Sequence, residues 1–170
     1  MNAPIVPSKM TQEGSVLRAT VIISWSWSQR PLLSWNDSIG ISYYGHPNTV
    51  HINSNSSALV QYDTGFGVFY SSYPISVSKN GTGASATFPM SRVYSAVNGW
   101  ARCGTATINM QTLYQGNYSP QYINMTAGYV HQAFTITPTI EFGTSGLGLS
   151  VTPKGSADVT NSKSYTINRP

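Results

Sequence analysis

A chain of 170 residues with 40% hydrophobic content is long enough to bury roughly two-thirds of its unfolded surface in one domain, which excludes a disordered polypeptide. Only 8% of the residues are Asp, Glu, Lys or Arg, against about 25% in ordinary soluble domains. The nine cations behind the net charge of +4 are scattered with no two adjacent, so the clustered basic patch of a nucleic-acid-binding surface is absent from the sequence.

The first dozen residues carry Pro4, Pro7 and a single cation, Lys9, and Gly14 follows. They read as an extended arm over 1–14, preceding a sandwich domain over 15–170. The clearest pattern opens at Val16 and runs to Ser28. Leu17, Ala19, Val21, Ile23, Trp25 and Trp27 form one face, while Arg18, Thr20, Ser24, Ser26 and Ser28 lie on the other. A period of two held that long predicts a half-buried strand, which Pro31 ends because it lacks the N–H of the ladder.

Shorter strands follow. Ile39, Ile41 and Tyr43 alternate before a turn at Gly45–Asn48, and Thr49 to Asn53 comes next. Ala58 to Tyr62 leads into the turn Asp63-Thr64-Gly65, and Phe66 to Ser71 follows. Tyr73, Ile75 and Val77 precede Lys79-Asn80-Gly81, where Asn-Gly supplies the two positive-φ residues of a type I′ hairpin, with Ala84 to Phe88 returning antiparallel. Val93 to Trp100 is the one stretch that suits a helical turn, capped by Asn98-Gly99. Cys103 to Leu113, Gln121 to Thr126, Tyr129 to Thr137, Thr139 to Phe142, Leu147 to Val151 and Tyr165 to Asn168 all read as strands. The polar tail from Pro153 to Pro170 pairs at most at a sheet edge. Turn residues recur every eight to twelve positions, the spacing of a sandwich or barrel. The predicted fold is all-β: a single-domain antiparallel β-sandwich, jelly-roll or immunoglobulin-like, with an extended N-terminal arm.

Little in the chain suggests catalysis or a cofactor. The five acids, Glu13, Asp37, Asp63, Glu141 and Asp158, lie far apart and in no catalytic motif. His46 sits in a turn, and His51 lies at odd spacing from it; with His131 they give no convergent metal set. Cys103, the only cysteine, excludes an internal disulfide and a multi-cysteine zinc site and reads as a small buried apolar residue. The glycine-rich Gly143–Gly148 lacks the lysine of a phosphate loop. Sequons at Asn36, Asn55, Asn80, Asn117 and Asn124 are what so much Asn, Ser and Thr produces by chance. The expectation is no enzyme, no cofactor and no metal.

The aromatics are more suggestive: eleven Tyr, four Trp and five Phe. Those near turns, Trp35, Tyr43, Tyr44, Tyr73, Tyr114, Tyr118 and Tyr122, are candidates for interface or glycan contact, because Tyr and Trp bring a large rigid area with a polar tip. A surface so poor in charge suits a protein whose faces are covered by neighbours or that works outside the cell. Met1 is not followed by a secretory leader, and no apolar run is long enough to span a membrane. Together these features predict a virion structural protein, of the capsid decoration, spike or tail kind found in bacteriophages. It would assemble in a host cytoplasm with copies of itself and other virion or surface proteins. The alternatives are an extracellular adhesin or pilus subunit using strand donation, and a carbohydrate-binding module with a host glycan as partner. Neither nucleic acid nor membrane insertion is expected.

Overall fold

The computed structural model describes residues 5–7, 10–31, 35–44, 51–77, 83–113, 122–132, 140–142, 149–151 and 157–168. Among these there is no helix, and two antiparallel sheets pack face to face over one core. The first sheet has the order β1 (Ile5–Pro7), β3 (Val16–Ser26), β11 (Val97–Leu113), β6 (Ser57–Asp63) and β7 (Val68–Pro74). To this path β2 (Thr11–Glu13) adds on β3, and β5 (His51–Ile52) and β10 (Ser91–Tyr94) add on β11. The second sheet has the order β15 (Ala157–Asn168), β12 (Tyr122–Gln132), β4 (Asn36–Tyr44), β9 (Gly83–Pro89) and β8 (Ser76–Val77). A small ribbon joins β13 (Ile140–Phe142) to β14 (Leu149–Val151).

The alternation of β3 is what seats the first sheet. Leu17, Ala19, Val21, Ile23 and Trp25 are all buried, and Trp27 just beyond the strand packs against the same core. Opposite them, β4 buries Ile39, Ile41 and Tyr43, β9 buries Ala84, Ala86 and Phe88, and β12 buries Ile123, Met125, Ala127 and Tyr129. Each strand therefore spends one face on the shared core, as sheets in a sandwich do. Gly40 in mid-β4 lies between Gly128 and Ser85 in register, and a Cβ there would come within 2.6 Å of the Ala84 carbonyl oxygen. Glycine at that point lets β4 and β9 approach closely.

Four expectations need correction. Val93 to Trp100 is a β-hairpin, not a helical turn: β10 pairs with β11 through Tyr94↔Val97, and Ser95 and Ala96 make the turn at φ 48° and 65°. Gly99 does not cap a helix but lies in a strand against Phe69. The two strands expected on either side of Gly128 are one, β12, because Gly128 pairs with Gly40 inside the sheet and the irregularity falls later, between Tyr129 and Val130. The polar tail holds a twelve-residue strand, β15, whose ladder with β12 supplies the stability that its composition did not announce. Cys103 is half-buried rather than buried, since β11 turns it outward beside Ser26 and Gln61.

Other expectations are met with shifted bounds. β7 runs on to Pro74, and after Ile75 the chain crosses to the second sheet, where β8 pairs antiparallel with β9 (Val77↔Ala84). That is the hairpin expected there, although its Asn80-Gly81 turn lies outside the described residues. In the N-terminal segment, Ile5–Pro7 and Thr11–Glu13 both pair with β3 of their own chain.

Candidate binding site

Pairing brings one set of distant polar residues together inside the sandwich. Asp37, at the start of β4, is 0% exposed. His131 on β12 stands directly across from it, and Asp158 on β15 occupies the next position in the same row. His131 Nδ1 lies 2.8 Å from Asp37 Oδ1, and the Tyr129 hydroxyl donates to Asp37 Oδ2. The Trp27 indole N–H in turn donates to the Tyr129 oxygen at 3.0 Å, and its ring meets His131 edge-on at 5.2 Å. Burial, and then the Asp37 charge, push the Tyr129 pKa far above its ordinary value, so the phenol stays a donor. Among the described residues no buried side-chain nitrogen or oxygen lacks a partner. The geometry of this network serves to lock β3, β4 and β12 together.

The opposite character appears where two hairpins end. The register Trp100↔Asp63 leaves Val97 to Gly99 running past the end of β6, beside the turn Thr64–Gly67. The tips of the β6–β7 and β10–β11 hairpins therefore project from the same end of the first sheet. The first tip is held by side chains: Asp63 Oδ1 accepts the Gly65 N–H at 2.8 Å. Thr64 Oγ1 accepts the N–H groups of Phe66 and Gly67 at 3.2 and 3.1 Å and donates to the Gly67 carbonyl at 2.9 Å. The Gly65 N–H is the chief reason that the Asp63 carboxyl sits below its usual range; burial opposes it, and Arg102, at 3.0 Å, adds to the lowering. Phe66 is thus presented on a fixed turn with 97% of its surface exposed.

The second tip is a two-residue turn of the kind that suits strand twist, though built without glycine at either positive-φ position. Such residues cost about 1–2 kcal/mol each in that region, so the tight turn is imposed by the structure around it. It fixes Tyr94 opposite Val97. Tyr94 then stacks on Phe69 (centroids 5.0 Å apart, planes at 19°), and Phe69 stacks on Tyr62 (5.0 Å, 9°). The three rings form a column from a fully buried tyrosine to one that is 61% exposed. Gly99 makes room for it, because a Cβ there would stand 2.6 Å from Phe69 Cε1. Gly99→Ala is therefore expected to displace the Phe69 ring, costing about 1–3 kcal/mol in denaturant unfolding and weakening the near-ultraviolet tyrosine signal. A variant that matches the parent in both measurements would show the column to be looser than this.

Beside the column runs a polar chain. The Tyr62 and Tyr73 hydroxyls are 2.7 Å apart, Tyr62 reaches the Pro89 carbonyl at 2.7 Å, and Arg92 Nη1 donates to the Tyr73 hydroxyl at 3.2 Å. Burial first, and the Tyr73 bond next, hold the Tyr62 pKa well above its ordinary value, so this phenol too remains protonated. Around the end stand further exposed apolar side chains: Val68 and Tyr70 on β7, Val93 on β10 and Val97 on β11.

Of the aromatics singled out from the sequence, Tyr73 alone joins this end. Trp35 and Tyr122 are half-exposed but lie at opposite ends of the second sheet, as the antiparallel register of β4 and β12 requires. Tyr43 is 4% exposed and belongs to the core, where burial raises its pKa. Tyr44 ends β4, and Tyr114 and Tyr118 fall outside the described residues. Phe66, Arg92 and Tyr94 were not foreseen; the signal for them was a turn that Ser95-Ala96 does not advertise.

No protein-family model and no curated protein matches the chain. Solved structures do. A collagen-binding domain from a Staphylococcus aureus adhesin is 10% identical, with 98% of this chain and 97% of that chain covered and a TM-score of 0.48. ACE19, the collagen-binding subdomain of the Enterococcus faecalis surface protein ACE, is 8% identical, with 98% and 96% covered and a TM-score of 0.47. AvmM, which catalyses macrocyclization in alchivemycin A biosynthesis, is 8% identical, with 99% and 89% covered and a TM-score of 0.36. At these identities and scores none of them assigns a ligand, an activity or a site to this chain.

Proposed function

We propose that this chain is an adhesive β-sandwich domain, displayed outside the cell, that holds its partner through the apolar end formed by the two hairpin tips and performs no catalysis. The observation that carries this reading is the exposure of Phe66, Tyr94, Val93, Val97, Val68 and Tyr70 on the turns and strand ends that meet at this end of the first sheet. Large apolar side chains gathered at one end of a domain mark a contact surface, whereas single ones scattered over a surface do not. Both tips are rigid, one through Asp63 and Thr64 and the other through ring stacking, so little conformational entropy is lost when a partner lands on them. The scarcity of charge fits the same role, since interface centres are depleted of charged residues.

The test is capture of the purified chain by immobilised collagen, other extracellular-matrix proteins and glycans. Phe66→Ser and Val93→Ser remove only exposed side chains, so both variants are expected to keep the parent melting temperature while losing about tenfold or more in affinity. Failure of the parent to bind any member of the panel, or undiminished binding by both variants, would refute the proposal.

Self-assembly, as in a virion component, is the second reading. It is favoured by Leu59, Val68 and Tyr70, which stand exposed on the outer face of β6 and the edge strand β7. A closed oligomer in light scattering that dissociates on Tyr70→Lys would support it, and a monomer at every concentration would remove it.

A further inference from the structure

We propose that Tyr94 and Arg92 form a subsite for an acidic sugar, with a pyranose ring on the open face of Tyr94 and its carboxylate on the Arg92 guanidinium. The inference rests on the reading of this end as the contact face and names the chemistry that one part of it recognises.

The first argument is the ring. One face of Tyr94 is occupied by Phe69, and 61% of the residue is nevertheless exposed, so the other face looks into solvent. An exposed tyrosine on a flexible loop would lose rotamer freedom when a ligand stacked on it. Here the column of Phe69 and Tyr62 has already fixed the ring, and the two-residue turn has fixed its backbone. The negative π face of such a ring attracts the polarised axial C–H groups of a pyranose, and the phenol keeps a polar tip for its hydroxyls.

The second argument is the charge. Arg92 is two residues from Tyr94 on β10, on the same side of the strand, where successive same-face positions are about 7 Å apart. The guanidinium itself lies over the Tyr73 ring, 6.0 Å from its centroid, and a sugar stacked on Tyr94 would extend its exocyclic carboxylate toward that side of the strand. Arg18 pairs with Glu13 and Arg102 pairs with Asp63, whereas Arg92 meets no carboxylate among the described residues. Among the described residues its one hydrogen bond is to the Tyr73 hydroxyl, which with the Tyr73 ring holds the guanidinium and leaves four of its five N–H donors for an anion. The planar fork suits a carboxylate, which it grips through two parallel bonds. A cation fixed by a neutral phenol beside a fixed, half-bare ring is a pairing of chemistries that neither core packing nor the turn requires.

The experiment is a heteronuclear NMR titration of the full chain with methyl glucuronide, methyl glucoside and acetate. Glucuronide is expected to move the Arg92, Tyr94 and Val97 signals. Glucoside should bind about tenfold more weakly for want of the charged bond, and acetate should leave the Tyr94 ring signals in place. Tyr94→Phe keeps the stacking face and should keep binding, Tyr94→Ser should lose it, and Arg92→Gln should reduce glucuronide to the level of glucoside. Signals unmoved by glucuronide, or an Arg92→Gln variant that binds it as well as the parent, would overturn the subsite. Loss of partner capture in Phe66→Ser with no glucuronide response sinks the sugar and leaves the contact face standing. A glucuronide response with capture unchanged in Phe66→Ser and Val93→Ser sinks the contact face instead.

Discussion

Asp37→Ala is expected to cost about 3–5 kcal/mol of unfolding free energy, a fifth or more of the roughly 5–15 kcal/mol that a domain usually has. Asp37 is fully buried and accepts hydrogen bonds from two groups on β12, His131 Nδ1 at 2.8 Å and the Tyr129 hydroxyl. The carboxylate does not gain stability simply by being charged, since a well-packed apolar replacement for the whole network can be neutral. The loss comes from taking away the acceptor that a buried imidazole and a buried phenol share. Met90 Sδ, 3.8 Å from the Tyr129 oxygen, is a weak acceptor and cannot stand in. Tyr129→Phe removes one bond and keeps the ring, so it should cost less, about 1–3 kcal/mol. Guanidinium titrations with unchanged m-values measure both, and an Asp37→Ala variant within about 1 kcal/mol of the parent would show that the network is not what locks β4 to β12.

That network also marks the limit of what the sequence discloses. The strand from Val16 was legible because eleven consecutive residues obey one rule, with every second side chain apolar, and burial follows it residue by residue. Tyr43 is a contact candidate from its place near a turn, but its alternation in step with Ile39 and Ile41 is the stronger rule, and it lies in the core. Asp37 and His131 are 94 positions apart, and only the β4–β12 register sets them side by side. No local pattern encodes a register between distant strands. The functional end was hidden for a different reason. A two-residue hairpin normally declares itself with Asn-Gly or Asp-Gly, and Ser95-Ala96 carries neither residue pair, so the sequence of Val93 to Trp100, Tyr94 included, suits a helical turn and gives Arg92 no strand. Of β15 only the end, Tyr165 to Asn168, was legible, because the composition before it is polar and its place is secured by the ladder with β12.

The other large effect falls at Trp25, which joins the two sheets. From β3 it stacks on Phe88 of β9, with centroids 5.1 Å apart and planes within 6°, and it meets Tyr129 of β12 at 5.1 Å. Trp25→Ala is expected to cost about 3–5 kcal/mol, toward the upper end, because the cavity cannot collapse. Tyr129 is pinned by Asp37 and Trp27, and Phe88 is wedged between Tyr129 and Tyr73. Trp25→Phe keeps a ring in the stack and should recover about half of the loss. Gly104 provides a sharper check. It lies across from Trp25 in register, and a Cβ there would stand 2.9 Å from the indole ring and 2.8 Å from the Leu59 carbonyl oxygen. Gly104→Ala should therefore destabilise the parent more than it destabilises Trp25→Ala, where the ring is gone and only the carbonyl still crowds the methyl group. A double-mutant cycle should show a coupling of about 0.5–3 kcal/mol between the two sites. Strict additivity would mean that the indole is free to shift away from the added methyl group.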